Sequence, residues 1–214
     1  EMIGHKFNRK YCGFYGDISV FSFYANKHIT TGEGGMLLTD NKQFYLKIEK
    51  LKNLCFGKIN RYNHDDIGWN YRFTNLQAAI GLAQLEKLSK TIYKKREIGQ
   101  IYDRGFLNSK IFYTPLKETN YAKNIYWVYG LVLKKNCKIK LKNFMTKLKL
   151  HGIETRNFFW PLHLQPALRK MGFFKKEKLP VAEYLSKNGF YLPSGLALTL
   201  KQQNFVIKQV NKVI

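Results

Sequence analysis

The stretch from Gly16 to Asp40 constrains the fold more than any other part of the chain. Its segment Ile18–Phe23 is almost continuously apolar, a pattern typical of a β-strand that is covered on both faces. Lys27 follows this strand, and a glycine-rich turn, Gly32–Gly35, precedes a second short strand over Met36–Thr39. Glycines allow tight turns and the close approach of backbone to a ligand. The stretch therefore predicts a buried strand, a loop open to a ligand and a second strand.

Lys27 is a candidate for covalent catalysis because it stands at the end of that strand. Desolvation lowers the pKa of a lysine and frees its amine as a nucleophile. Ser22, five residues earlier, offers a hydroxyl group to a phosphate. Lysine and arginine make up 37 of the 214 residues, so the spacing alone leaves open a solvated lysine without a catalytic role.

Three motifs in chain order resemble the DegT/DnrJ/StrS family of pyridoxal-phosphate-dependent nucleotide-sugar aminotransferases. They are SFYANK with TTGEGGM (residues 22–36), IGWNYR with QAAIGLAQL (67–85) and PLHLQP (161–166). The resemblance implies an α/β fold of the fold-type I, aspartate aminotransferase-like class. It also implies that residues 1–107 form the C-terminal part of the large cofactor-binding domain, including a bridging helix. Residues 108–214 are then expected to form a small α+β C-terminal domain.

The resemblance implies specific roles for five residues. Lys27 would hold pyridoxal 5'-phosphate covalently and then act as the base, with Ser22 on the cofactor phosphate. Sugar 3-dehydratase relatives carry histidine at this position, so a lysine implies transamination. Asn70 would reach the phosphate of the neighbouring subunit's cofactor, which implies an obligate homodimer. His163 and Arg156 are the expected substrate contacts.

Within the family, Ile153–Arg156 and the loop that follows are most similar to the GDP-perosamine synthases. That similarity implies L-glutamate as the amino donor and a 4-keto-6-deoxy nucleotide sugar as the acceptor, for surface polysaccharide or glycan synthesis. The family also carries a segment ahead of the position of Glu1, with the aspartate for the pyridine nitrogen and a ring-stacking aromatic residue. We therefore expect this chain alone to be incomplete and inactive. A truncated, non-catalytic family member is the alternative.

Composition adds further expectations. The formal charge of +23 is compatible with nucleic-acid binding, but it comes mostly from dispersed lysines and has no zinc-finger or RNP-type motif beside it. Three widely spaced cysteines without a CxxC pair indicate free thiols in a reducing cytoplasm. No apolar run approaches the roughly 20 residues that span a bilayer, so we expect no membrane partner. The triplet His64-Asp65-Asp66 lacks a metal-ligand spacing and is expected to be a solvated loop without metal.

Overall fold

The structure is a computed structural model that describes residues 2–213. The chain divides into two compact units. The first extends to Ile92 and takes in Glu118–Lys123, and the second comprises Tyr93–Lys117 and the chain from Asn124 onward. The division at residues 107 and 108 expected from the sequence stays a prediction.

Among its described residues, the first unit contains two antiparallel strand pairs and two complete helices. Its elements are β1 (Lys6–Phe7), β2 (Lys10–Tyr11), β3 (Ser19–Ser22), β4 (Gly35–Leu38), α1 (Lys42–Lys52) and α2 (Asn75–Leu85). β1 pairs with β2, and β3 pairs with β4 in the register Ser19 opposite Leu38 and Ser22 opposite Gly35. A third helix, α3 (Leu88–Gly105), begins in this unit and continues into the second.

Side-chain caps define where the helices of the first unit begin. The Asn41 side chain accepts hydrogen bonds from the backbone N–H groups of Gln43 and Phe44 and so starts α1. Thr74 and Gln77 form a reciprocal capping box at the start of α2. Such caps satisfy N–H groups that have no partner within the helix, which typically stabilises it by about 1 kcal/mol.

The expectation that Ile18–Phe23 is covered on both faces is wrong for the described chain. Ser19 and Phe23 are buried on one face, but Val20 on the other face is 76% exposed. Side chains alternate between the two faces of a strand, so a continuous apolar run shows that both faces are suited to apolar contact. It does not show that the described chain supplies that neighbour.

The second unit is an antiparallel sheet packed with helices, the α+β arrangement predicted. Its strands stand in the order β5-β6-β8-β7. Its elements after α3 are β5 (Phe112–Tyr113), β6 (Tyr129–Leu133), α4 (Leu141–Leu150), β7 (Arg156–Asn157), a 3-10 helix (Leu162–Leu164), α5 (Pro166–Lys170), α6 (Pro180–Asn188), β8 (Gly189–Leu192) and α7 (Leu200–Lys212). Residues of α3, the sheet, α4 and α7 share one hydrophobic core, in which Tyr102, Tyr129, Phe144, Phe190 and Val210 are fully buried.

Polar side chains of α3 hold the segment that follows β8. The Lys95 Nζ donates a hydrogen bond of 2.6 Å to the carbonyl oxygen of Ser194. The Tyr102 hydroxyl donates one of 2.7 Å to the carbonyl oxygen of Pro193. Lys95 is only 7% exposed, and its burial lowers the pKa of the amine to about 8. α3 thus anchors this segment through an amine and a phenol, both largely withdrawn from water.

No helix between residues 2 and 213 combines the length and the hydrophobicity that crossing a membrane requires.

Candidate active site

Lys27 and Ser22 lie at the start of the connection between β3 and β4. Ser22 is the last residue of β3, and its Oγ accepts a hydrogen bond of 3.4 Å from the backbone N–H of Tyr24. The backbone N–H of Lys27 donates to the carbonyl oxygen of Tyr24 at 3.0 Å, which closes a turn. Both side chains are partly buried. An amine and a hydroxyl group therefore stand near one end of a short strand.

The loop that carries Lys27 is braced against α2 by a glutamine side chain. The Gln84 Oε1 accepts from the backbone N–H of Thr30 at 3.1 Å, and its Nε2 donates to the Thr30 carbonyl oxygen at 2.7 Å. The Thr30 hydroxyl in turn donates to the carbonyl oxygen of Phe23 at 2.9 Å. Gln77 donates to the carbonyl oxygen of Glu33 at 3.0 Å, farther along the same loop. These bonds fix the backbone on the C-terminal side of Lys27.

Contacts within the protein explain two of the glycines in the glycine-rich turn. Gly34 has a φ of +135°, and a Cβ there would lie 2.7 Å from the Phe73 ring. A Cβ at Gly35 would lie 2.8 Å from the carbonyl oxygen of Phe21 on the paired strand. Gly32, with a φ of +79°, has open space around it. Left-handed backbone and close strand contact therefore account for Gly34 and Gly35 without a ligand.

Asn70 lies on an exposed segment that follows the end of α1. The backbone N–H groups of Trp69 and Tyr71 donate to the carbonyl oxygens of Leu51 and Lys52 at 2.7 and 2.9 Å. The Asn70 Oδ1 accepts a hydrogen bond of 2.9 Å from the Nε of Arg72. The side chain of Asn70 is thus held in an oriented position and is exposed.

His163 is a buried residue of the second unit. It is 3% exposed, and its Nε2 lies 3.0 Å from the Oε1 of Glu183 in the first turn of α6. The same Oε1 accepts from the backbone N–H of Leu179 at 3.2 Å. The hydrogen bond from His163 is the main cause that lowers the pKa of Glu183. The pair links the 3-10 helix to α6.

Arg156 is exposed on β7, directly opposite Tyr191 of β8. A little farther along the chain, the ring of Phe159 stacks on that of Trp127, with centroids 6.1 Å apart and planes 8° from parallel. Phe159 is 70% exposed, so this edge of the unit presents an aromatic surface as well as a guanidinium group.

Sequence reasoning missed the Gln84 brace and the Glu183 partner of His163. Gln84 reads as an ordinary polar residue of α2, and nothing in its spacing indicates a contact with Thr30. Glu183 carries a weak signal, because an acidic residue shortly after Pro180 is typical of the first turn of a helix.

The residues of the Lys27 loop fit pyridoxal phosphate by their donor chemistry. A primary amine can condense with the cofactor's aldehyde, and the Ser22 hydroxyl can donate to a phosphate oxygen because its Oγ already accepts from Tyr24. The turn that places both groups is fixed by main-chain and glutamine hydrogen bonds. The site can therefore hold the cofactor at its aldehyde and at its phosphate.

Residues 1–211 match the DegT/DnrJ/EryC1/StrS aminotransferase family. GDP-perosamine synthase of Escherichia coli O157:H7 is 39% identical over 213 residues, which are 99% of this chain and 56% of that protein. The crystal structure of the aminotransferase TlmJ from Streptoalloteichus hindustanus matches with a TM-score of 0.87 at 25% identity, over 99% of this chain and 56% of that one. The PLP form of the putative sugar aminotransferase Spr1654 from Streptococcus pneumoniae gives a TM-score of 0.85 at 22% identity, again over 99% and 56%.

The chain spans about half the length of these relatives. The structural matches confirm the fold-type I class expected from the three motifs. The aminotransferases of this family depend on pyridoxal phosphate, and the match covers the Lys27 loop, the Asn70 segment and the His163 segment together. The chain belongs to the DegT/DnrJ/EryC1/StrS aminotransferase family.

Proposed function

We propose that this chain carries the reactive lysine of a pyridoxal-phosphate-dependent sugar aminotransferase. The enzyme moves the amino group of L-glutamate to the keto group of a GDP-linked 4-keto-6-deoxy sugar, for surface polysaccharide or glycan synthesis. It works in the cytoplasm as a homodimer with shared active sites. The observation that carries the proposal is the Lys27 loop, which is partly buried, braced to α2 and included in the family match. The similarity to GDP-perosamine synthase supports the choice of acceptor.

The role of Lys27 is to bind the cofactor covalently and to move a proton. Its Nζ would hold the cofactor and, as a free amine, would accept a proton from the substrate carbon and return it. The cofactor, when bound, supplies the electron sink. Proton transfer needs the amine within hydrogen-bond reach, so the Gln84 brace contributes by limiting the positions of the loop.

Ser22 and Asn70 act on phosphate groups. The Ser22 hydroxyl keeps its hydrogen for a phosphate oxygen, because its Oγ accepts from the backbone of Tyr24. Asn70 uses its Oδ1 to accept from Arg72, which leaves the two amide hydrogens as donors. Since Asn70 is exposed, we assign these donors to the cofactor phosphate of a second subunit.

His163 and Arg156 act on the sugar nucleotide. The Nε2 of His163 is engaged by Glu183, so Nδ1 is the ring nitrogen left for the substrate, and Glu183 acts by orienting the ring. Arg156 is exposed and presents a planar guanidinium group that can bind two diphosphate oxygens at once.

Covalent trapping tests the role of Lys27. The chain, joined to the N-terminal part of the E. coli relative, is incubated with an equimolar amount of pyridoxal phosphate, reduced with borohydride and mapped by peptide mass spectrometry. We expect the pyridoxyl label on Lys27 and its loss in Lys27→Arg, which keeps the positive charge. Lys52→Arg is the matched control, because Lys52 is also partly buried in the first unit and stands outside the three family motifs. A main label on any other lysine contradicts the assignment.

Isotope transfer tests the reaction. L-[15N]glutamate and GDP-4-keto-6-deoxymannose are supplied to the chain alone and to the chain joined to the N-terminal part of the E. coli relative. We expect 15N in the GDP sugar only with the joined protein, because the chain alone spans 56% of the length of the E. coli relative. Transfer to a UDP-linked keto sugar in place of the GDP sugar would refute the choice of nucleotide. Full activity of the chain alone would refute the expected incompleteness.

Mixed dimers test the shared site. Lys27→Ala and Asn70→Ala subunits of the joined protein are each expected to be inactive or nearly so, and heterodimers of the two should recover part of the activity. The recovery arises because one of the two sites then has both residues intact. Heterodimers of proven composition that stay inactive would argue against a shared site.

A further inference from the structure

The positive charge of this protein is concentrated in one of its two units. The second unit has 23 lysine and arginine residues against five acidic residues, a net formal charge of +18. The first unit has 14 against nine, a net charge of +5. A bias of the whole proteome towards lysine predicts no such division. The second unit therefore requires an explanation of its own.

The densest part of this charge lies on α4 and the segment before it. Residues 124–153 contain seven lysines and no arginine, aspartate or glutamate. Five of these lysines are exposed on α4 or just before it, and we call them the basic face: Lys138, Lys140, Lys142, Lys147 and Lys149. A helix of this length is about 15 Å long, so neighbouring charges lie within about one or two Debye lengths of each other at physiological salt. The five charges of the basic face therefore act together on a partner.

The core fixes the direction in which the basic face points. Phe144 and Leu148 are fully buried, so the opposite side of α4 faces outward. That outward side carries Lys142, Thr146, Lys149 and Leu150 at spacings of three and four residues. Leu150 is 81% exposed, which places an apolar side chain between cationic ones.

The protein itself neutralises little of the basic face. Lys149 makes the one ion pair found there among the described residues, 3.5 Å from Glu154, and both side chains are more than 70% exposed. An exposed pair of this kind contributes little, typically under about 1 kcal/mol. The other four lysines face no carboxylate within the described part of the chain, so their charge is directed outward.

The chemistry of the face favours an anionic lipid surface over a nucleic acid. Lysine presents a compact point charge, whereas arginine binds phosphate bidentately, and residues 124–153 contain no arginine. Single-strand binding also uses exposed aromatic rings for stacking, and Phe144, the aromatic residue of α4, is buried. Lysines with an exposed leucine are instead typical of segments that adsorb to acidic headgroups and insert one apolar side chain.

We propose that the basic face is a docking surface for membranes rich in anionic phospholipid, which holds the protein peripherally at the bilayer. This proposal departs from the expectation that the chain has no membrane partner. Adsorption to a bilayer surface requires surface charge, but it does not require a helix that spans the membrane. The proposal does not depend on the aminotransferase reaction, since no residue of the basic face belongs to the candidate active site.

Vesicle flotation tests the proposal. The chain is mixed with vesicles of phosphatidylcholine alone or with 40% phosphatidylglycerol, and floated through a density gradient so that aggregated protein stays at the bottom. We expect flotation with the anionic vesicles only, and release as salt rises from 0.1 to 1 M, where the Debye length falls from about 10 to about 3 Å.

Charge-matched variants locate the surface. Each lysine near an anionic membrane contributes roughly a fivefold increase in partitioning, so K138Q/K140Q/K142Q/K147Q should weaken binding at least about a hundredfold. K187Q/K201Q/K208Q/K212Q removes the same charge from exposed positions on α6 and α7 and should retain most of the binding. Circular dichroism verifies that both variants are folded. Equal losses in the two variants overturn the proposal, since binding would then follow net charge alone.

A nucleic-acid competitor completes the test. The same proteins are titrated with a 30-base-pair DNA duplex and a 30-nucleotide single strand at 0.15 M salt. We expect weak binding that the two sets of four substitutions reduce alike. Tight DNA binding that only the basic-face variant loses, together with no flotation, overturns the lipid proposal in favour of a nucleic-acid surface.

Discussion

Lys95 makes the stability of the second unit depend on pH in a predictable direction. Burial lowers the pKa of its amine from 10.5 to about 8, and the side chain is 7% exposed. Between these two values the unfolded chain binds a proton that the folded chain has lost. Stability therefore rises with pH through this window, by at most about 1.4 kcal/mol per pH unit. The whole pKa shift changes the free energy of unfolding by about 3 kcal/mol. About 2 kcal/mol of this change falls between pH 7.5 and 9.5.

The perturbation that isolates this contribution is Lys95→Met. Methionine keeps the length of the stem and removes the charge, but it leaves the carbonyl oxygen of Ser194 without its donor, a loss of about 1–3 kcal/mol. At pH 7.5 this loss and the relief of the buried charge nearly offset each other. At pH 9.5 the folded wild type no longer carries the buried charge. The unfolding free energy of the variant minus that of the wild type should therefore be lower at pH 9.5 than at pH 7.5 by about 2 kcal/mol.

Denaturant unfolding at pH 7.5, 8.5 and 9.5 measures this difference by tryptophan fluorescence, since two of the three tryptophans, Trp127 and Trp160, lie in the second unit. The difference between wild type and variant cancels the titration of buried tyrosines, which both proteins share. Lys94→Met is the control, because Lys94 is only partly buried and is paired with Glu97 at 2.9 Å. A plot of the unfolding free energy of Lys94→Met against pH should run parallel to that of the wild type. A Lys95→Met curve that is also parallel would refute the reasoning from burial.

Two further substitutions test the packing of each unit. Gln84→Ala removes both hydrogen bonds to the backbone of Thr30 and should cost about 1–3 kcal/mol, with faster hydrogen exchange at the Thr30 amide measured by NMR. Gly99→Ala would place a Cβ 2.5 Å from the ring of Tyr126 and should lower the unfolding free energy by about 1–3 kcal/mol, whereas Gly195→Ala, which meets nothing within 4 Å, should change it by less than about 0.5 kcal/mol in denaturant melts.

Local patterns predicted the helices well where capping and amphipathicity act within a few residues. Asn41 and Thr74 mark helix starts through side-chain hydrogen bonds, and Thr199 does the same for α7. The spacing of apolar residues predicts α4 over Leu141–Leu150, the bounds observed. Strands were predicted less well. The branched and aromatic residues of Ile153–Phe159 predict one strand, but only Arg156–Asn157 pair with β8.

The site was predictable only in part, since its supporting contacts join distant parts of the chain. Lys27 is identified by its motif, but the Gln84 brace depends on how α2 lies against the loop. Lys95 did carry a signal. It stands three, four and seven residues before Ile98, Gly99 and Tyr102, and so falls on the buried stripe of α3. The neighbouring Lys94, Arg96 and Glu97 hide this spacing behind a run of charge.

The bond between Thr30 and Gln84 sets an order of events during synthesis. The two residues are 54 positions apart, so the loop around Lys27 emerges long before the helix that holds it exists. At 5–20 residues per second the interval is about 3–10 s, far longer than the microseconds in which short helices and turns form. Throughout that time the nascent chain presents a lysine whose position is not yet fixed. Fixing of the loop in its final geometry is therefore a late event, which follows the completion of α2.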